Sequence, residues 1–213
     1  MGSRIYLLDE DILIKLSKCS LLEHLPVAFG VQHHQFSVRQ QSKKIYEKFL
    51  AGNSVALEMA KTFCKKTRIY EDVVGAPIAS RISVAGIDAG EAIMLAYAAQ
   101  CPDVEYFTTG DKKCLRTLNT KFPDVANALN GKIRCFEQSL LAFAGMQLPQ
   151  TLDSYFAKTQ DVDTGLHQAV AVARGSPDFS ASLKTYLIGR VKELHTSTGA
   201  MIDLKFPPGV NYV

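Results

Sequence analysis

No run of about 18 uninterrupted apolar residues occurs anywhere in the 213-residue chain, so no membrane span is predicted. A secretory leader is missing as well: MGSRIYLLDEDI reaches Asp9, Glu10 and Asp11 before an apolar segment can form. The same stretch fails the myristoylation pattern, because Tyr6 stands where Ser or Thr is required. The five cysteines, Cys19, Cys64, Cys101, Cys114 and Cys135, are scattered and form no CxxC pair, which argues against a zinc site. Without a secretion signal they are expected to be reduced thiols of a cytoplasmic protein. Also absent are a Gly-x-Ser-x-Gly elbow, a Ser-His-Asp arrangement and a phosphate-cradling P-loop. No internal repeat or low-complexity segment is present.

What is present is ordinary globular material. Hydrophobic residues make up 47% and charged residues 21%, enough for one domain or one domain with an appendage. Net charge is only +3, but it is unevenly placed. Residues 39–68 carry Arg39, Lys43, Lys44, Lys48, Lys61, Lys65, Lys66 and Arg68 against Glu47 and Glu58. Residues 111–134 carry Lys112, Lys113, Arg116, Lys121, Lys132 and Arg134 against Asp111 and Asp124. Such stretches fit either solvated helix faces or a surface that attracts a polyanion.

Residues 4–8 (RIYLL) read as a strand that is apolar on both faces, the mark of a central strand in a covered parallel sheet. A helix is expected over 11–17 and a short one over 21–25. A second strand is expected over 27–31, helices over 36–50 and 55–65, and a third strand over 68–74. A loop is expected over 75–86, then a helix over 88–99, a strand over 104–108, a helix over 111–118 and a last strand over 133–136. The alternation predicts an α/β fold with a mainly parallel sheet. Beyond about residue 137 the pattern turns helical, over 137–144, 152–158, 165–174 and 177–198, with FPPGVNYV as an extended tail. The expected organisation is therefore a domain over 1–137 and a helical extension over 138–213 packed on it, which leaves open whether the extension covers a site or forms a subunit interface.

Three acidic motifs share a topological position. Asp9 ends the first strand, Asp88 and Glu91 open the helix of GIDAGEAIMLAYA, and Asp111 follows the strand of YFTTGDKKCL. Ligands of open parallel sheets bind beyond the carboxyl ends of the strands, where such residues converge. A carboxylate cluster tolerates its own repulsion when a cation sits within it, and oxygen donors suit Mg²⁺ or Mn²⁺. Each acid also has a structural explanation. Asp11 is expected to cap the first helix, Asp88 and Glu91 have capping-box spacing, and Asp111 is placed as an N-cap. Asp9 is the exception, since a strand end needs no acid.

IYLLDEDILIKL, DAGEAIMLAYA and FTTGDKKCL, in this order and spacing, resemble the PIN domain over roughly residues 4–136. The resemblance implies a parallel sheet between helices and a metal-dependent nuclease, often a ribonuclease and often the toxin of a toxin–antitoxin pair. It places Asp9, Glu91 and Asp111 as catalytic metal ligands, with Asp88 as an auxiliary. The family carries one more acid early in the helix after the second strand. Here VQHHQFSVRQQSKK has none and offers only His33 and His34 as substitutes. The implied reaction is phosphodiester hydrolysis by a metal-activated water. Thr108 or Thr109 would orient Asp111 or touch phosphate, and Arg39, Lys43, Lys44, Lys112 and Lys113 would contact the RNA backbone. Expected partners are RNA, a protein such as an antitoxin, and a second copy of the chain. Two other readings stay open. One is a PIN-like module that binds RNA or protein without cleaving. The other is a haloacid-dehalogenase-type phosphatase using Asp9-Glu10-Asp11 and Gly110-Asp111.

Overall fold

Strand β1 (Ile5–Leu8) takes the central position that its two apolar faces require, with Leu7 and Leu8 fully buried. The computed structural model describes residues 4–70, 76–157 and 161–212. Around β1 lie β2 (Phe36–Arg39), β3 (Arg68–Tyr70), β4 (Val104–Thr109) and β5 (Ile133–Cys135), in the order β3-β2-β1-β4-β5. Every neighbouring pair is parallel. Tyr6 of β1 is in register with Phe36 of β2 and Tyr106 of β4.

The connections are helical: α1 (Glu10–Lys18), α2 (Leu25–Phe29), α3 (Ser42–Phe49), α4 (Ser54–Lys66), α5 (Ala76–Ser83), α6 (Ala89–Gln100), α7 (Lys112–Lys121) and α8 (Pro123–Ala128). After β5 come α9 (Phe136–Ala144), α10 (Leu152–Tyr155), α11 (Thr164–Arg174) and α12 (Phe179–Thr198). The α/β architecture with a parallel sheet is as expected. The long helix α12 packs on α7, α9 and α11, and its Leu187 and Val191 belong to the same continuous core as Leu7 of the sheet. Among the described residues, no helix is long and apolar enough to cross a membrane.

The structure corrects several local expectations. Residues 27–31 are not a strand. Pro26 starts α2, Leu25 and Phe29 face the core, Val27 is 71% exposed, and Gly30 ends the helix in a left-handed conformation at φ 67°. That burial at i and i+4 is helical spacing. The second strand lies further on, at Phe36–Arg39, where a helix is expected. Ser37 and Arg39 obscure it, although Ser37 is buried in the sheet. Residues 76–83, expected as loop, form α5, with Ala79 and Ile82 buried one turn apart. Helix α8 has no counterpart in the sequence reading; Pro123 begins it, and Val125 and Ala126 are buried. Strand β3 ends at Tyr70, and the rest of its expected span lies outside the described residues, as does the end of the helix expected over 152–158. The last residues are not a free tail. Gln138 donates to the carbonyls of Asp203 (2.6 Å) and Phe206 (2.8 Å), and the buried Tyr212 hydroxyl donates to Phe206 O.

Candidate functional site

Strand order reverses between β1 and β4, which opens a crevice at their carboxyl ends. Asp9 and the run Thr108-Thr109-Gly110-Asp111 lie there. Asp9 occupies the N-cap place of α1, yet its side chain caps nothing. It accepts a hydrogen bond from Thr109 Oγ1 (3.1 Å), and the same hydroxyl accepts one from the Asp111 N–H (3.2 Å). Thr109 therefore holds the two acidic segments together. At 2% exposure it orients them and is not placed to touch a phosphate.

Asp88 and Asp111 do cap helices. Asp88 Oδ1 accepts from Gly90 N (2.8 Å) at the start of α6, and Asp111 Oδ1 accepts from Cys114 N (2.8 Å) at the start of α7. Each cap leaves its second carboxylate oxygen for another partner. Glu91, on the first turn of α6, has Asp111 as its strongest charged neighbour. Burial, followed by the charges of Asp111, Asp88 and Asp11, pushes the Glu91 carboxyl up to about 8. Burial and then the charges of Glu10, Glu91 and Asp11 hold the Asp9 carboxyl well above the usual range. Burial also pushes the Cys114 thiol up, and Glu91, Asp111 and Asp9 add to it. The structure thus sets Asp9, Glu91 and Asp111 around one end of the sheet, with Asp88 beside Glu91.

The cations around this cluster are already committed. Arg39, at the end of β2, pairs with Glu10 (3.4 Å), whose Oε1 also accepts from Ser42 Oγ (2.8 Å). Lys15 pairs with Asp11 (2.7 Å) and with Asp163 (2.8 Å), the N-cap of α11. Lys112 pairs with Glu137 of α9. Among the described residues, no ion pair reaches Asp9, Glu91 or Asp111. Two glycines make this packing possible. A Cβ at Gly90 would lie 1.7 Å from Arg39 Nη1, and one at Gly110 would lie 2.3 Å from Asp11 Oδ2. Gly90, Lys15 and Asp163 do not stand out in the sequence, because each acquires its role only in the folded chain.

The expected nucleic-acid contacts divide into two groups. Lys43, Lys44 and Lys113 are exposed, whereas Arg39 is buried against Glu10 and Lys112 is held by Glu137. His33 and His34 precede β2, at the opposite rim of the parallel sheet from the crevice, and the His33 ring packs on Phe63. They cannot substitute for the missing acid. The helical extension does reach the site: Asp163, Thr164 and Gln168 of the α11 segment and Arg190 of α12 line a cleft of about 570 Å³ opposite Asp11, Glu91 and Asp111. The Lys15 ammonium holds the Asp163 carboxyl below the usual range against the effect of burial. Asp163→Ala removes that partner and the cap at Leu166 N, and is expected to cost about 1–2 kcal/mol in a denaturant melt.

Glu91 makes the stability pH-dependent. Its folded-state pKa of about 8 lies above its ordinary 4.5, so between those values the folded chain keeps a proton that the unfolded chain has released. Stability contributed by protonated Glu91 is complete below the lower value and lost as pH rises through the upper one. Glu91→Gln removes this fall. We expect the variant to match the native protein near pH 4 and to exceed it at pH 9 by about 1–3 kcal/mol, a figure reduced for partial solvent screening. Equal slopes of unfolding free energy against pH would contradict the placement of Glu91.

Among the described residues, no three His, Cys, Asp or Glu side chains are gathered as a metal ion would require. Comparison of the chain with protein-family models, curated proteins and solved structures returns no match.

Proposed function

We propose that the chain is a metal-dependent phosphodiesterase of the PIN type that hydrolyses RNA at the Asp9–Glu91–Asp111 cluster. One observation carries this reading: carboxylates from three elements border the switch point of a parallel sheet, burial and neighbouring charge hold the Asp9 and Glu91 carboxyls above their usual range, and none of the three has an ion-pair partner among the described residues, although Arg39, Lys15 and Lys112 are nearby and paired elsewhere. In donor type and surplus charge the trio fits a hard divalent cation such as Mg²⁺ or Mn²⁺. RNA as the substrate class follows from the resemblance of the three motifs.

When bound, the ion would supply a water of lowered pKa and positive charge at the phosphate. The remaining work falls to the chain itself. Thr109 fixes Asp9 relative to Asp111, and the α7 cap fixes Asp111. Glu91 keeps a proton at neutral pH and releases it as positive charge enters, so cation affinity should increase as pH rises toward 8. The amino ends of α6 and α7 face the same crevice and favour negative charge there. Arg190 closes the opposite wall. Incubation of labelled single-stranded RNA with the purified chain and Mn²⁺, beside Asp9→Asn, tests the proposal.

Exposed Lys43, Lys44 and Lys113 are candidates for backbone contacts. RNA binding should weaken steeply with salt, and replacing all three with Ser should lower the log–log slope by about 2, given roughly 0.7 per neutralised phosphate on a single strand. An unchanged slope in filter binding would remove these lysines from the interface. A second reading, binding without cleavage, is favoured by the lack of a ready-made metal arrangement among the described residues. Tight RNA binding with no cleavage in Mg²⁺ or Mn²⁺ would select it.

A further inference from the structure

On β5, away from the carboxylate cleft, Arg134 is only 5% exposed. Its guanidinium carbon lies 3.3 Å from the ring centroid of Tyr106 and 3.5 Å from that of Phe206, with Phe29 at 4.9 Å. Two rings so close leave the guanidinium edge as the place for hydrogen-bond acceptors. Yet Nε and Nη1 have no acceptor, and Arg134 has no ion pair, among the described residues. Tyr106 and the charge of Asp203 offset part of the burial of Arg134, but two buried N–H groups without acceptors remain costly and suit a partner from outside the chain.

An open pocket of about 470 Å³ lies beside it, lined by Arg134, Tyr106, His195, Asp203, Lys205 and Phe206 among others, and it shares no residue with the carboxylate cleft. His195 Nδ1, from α12, is a further buried nitrogen with no hydrogen-bond partner among the described residues. Lys205 adds an exposed positive charge. The one acid in the lining, Asp203, already accepts from Lys205 N through Oδ1 (2.9 Å). Donors from β5, α12 and the C-terminal segment thus surround one small space. A planar carboxylate would need only the guanidinium fork, whereas donors on three sides match a tetrahedral ion.

We propose that this pocket binds a small phosphate, as the free ion or as the end group of a phosphate monoester, through the edge of Arg134, with His195 and Lys205 as further donors. The experiment is calorimetric titration of the full chain, in EDTA and at ionic strength held constant with chloride, using inorganic phosphate in one arm and adenosine monophosphate in the other. Saturable binding is expected, with inorganic phosphate the tighter ligand if the free ion is bound and the nucleotide tighter if a monoester is. Arg134→Met should weaken it at least about tenfold. If that variant does not fold, the exposed Lys205→Ser, expected to weaken binding about threefold, and His195→Gln decide the matter. No saturable heat in either arm, or unchanged affinity in the folded variants, would overturn the proposal and leave Arg134 as an aromatic pin for the C-terminal segment.

Discussion

Asp9→Asn is expected to abolish the proposed cleavage of single-stranded RNA in Mn²⁺, lowering the initial rate by at least about 10³-fold, while the far-ultraviolet circular dichroism and melting of the fold persist. The substitution is close to isosteric. Its amide oxygen still accepts from Thr109, so the link between the two acidic segments survives. What is lost is one negative charge from a site whose use depends on surplus negative charge. Asp111→Asn should behave alike, because Asn caps a helix about as well as Asp and preserves the bond from Cys114 N. Loss of activity with intact melting curves would therefore separate the chemical role of these acids from their capping role. Full activity in Asp9→Asn would indicate a contaminant or another site. Turnover of a small phosphate monoester through a phosphoryl group on Asp9 would instead identify a phosphatase.

The second large effect is on stability. Arg39→Met should destabilise the fold by about 3–5 kcal/mol at pH 7, read from the denaturant midpoint. The Arg39 and Glu10 side chains are each 10% exposed, so removing the guanidinium strands a buried carboxylate beside Asp9. Adding Glu10→Gln should recover most of the loss, since Gln keeps an acceptor for the Ser42 hydroxyl. Gly90→Ala offers an independent check. In the native chain the new Cβ would drive into Arg39 Nη1 and displace it. In the Arg39→Met background that obstacle is gone, and the better helix propensity of Ala should make the change neutral or stabilising by about 1 kcal/mol. Equal costs of Gly90→Ala in both backgrounds would show that the guanidinium does not occupy this place.

Strands β1 and β4 and helices α1, α4, α6 and α7 can be read from the chain because each carries its own signal. IYLL is apolar on both faces, and a strand in the covered centre of a sheet needs nothing more. Asp88 and Asp111 announce their helices by capping chemistry. Strand β2 is hidden because Arg39 is there for Glu10 and not for the sheet, so its residue type reports a distant partner. The same holds for Lys15, whose carboxylate partner Asp163 lies in a stretch with no acidic cluster of its own. Residues 27–31 mislead in the other direction. Their apolar run suits a short strand as well as one helical turn, and Pro26 and Gly30, which decide the matter, act through backbone conformation. The acids of the candidate site are legible one by one; that the nearby cations are all engaged elsewhere is a property of the folded chain.

Because Asp163 answers Lys15 and Arg190 stands across from Glu91, the chain cannot be shortened to its sheet. A version ending after Glu137 would strip Leu140, Leu141 and Phe143 from the core, release one side of Lys15 and remove a bank of the cleft. Whatever passes through that opening must fit between the two parts of the molecule, and anything that pulls the start of α11 outward would widen the entrance without touching a single acid.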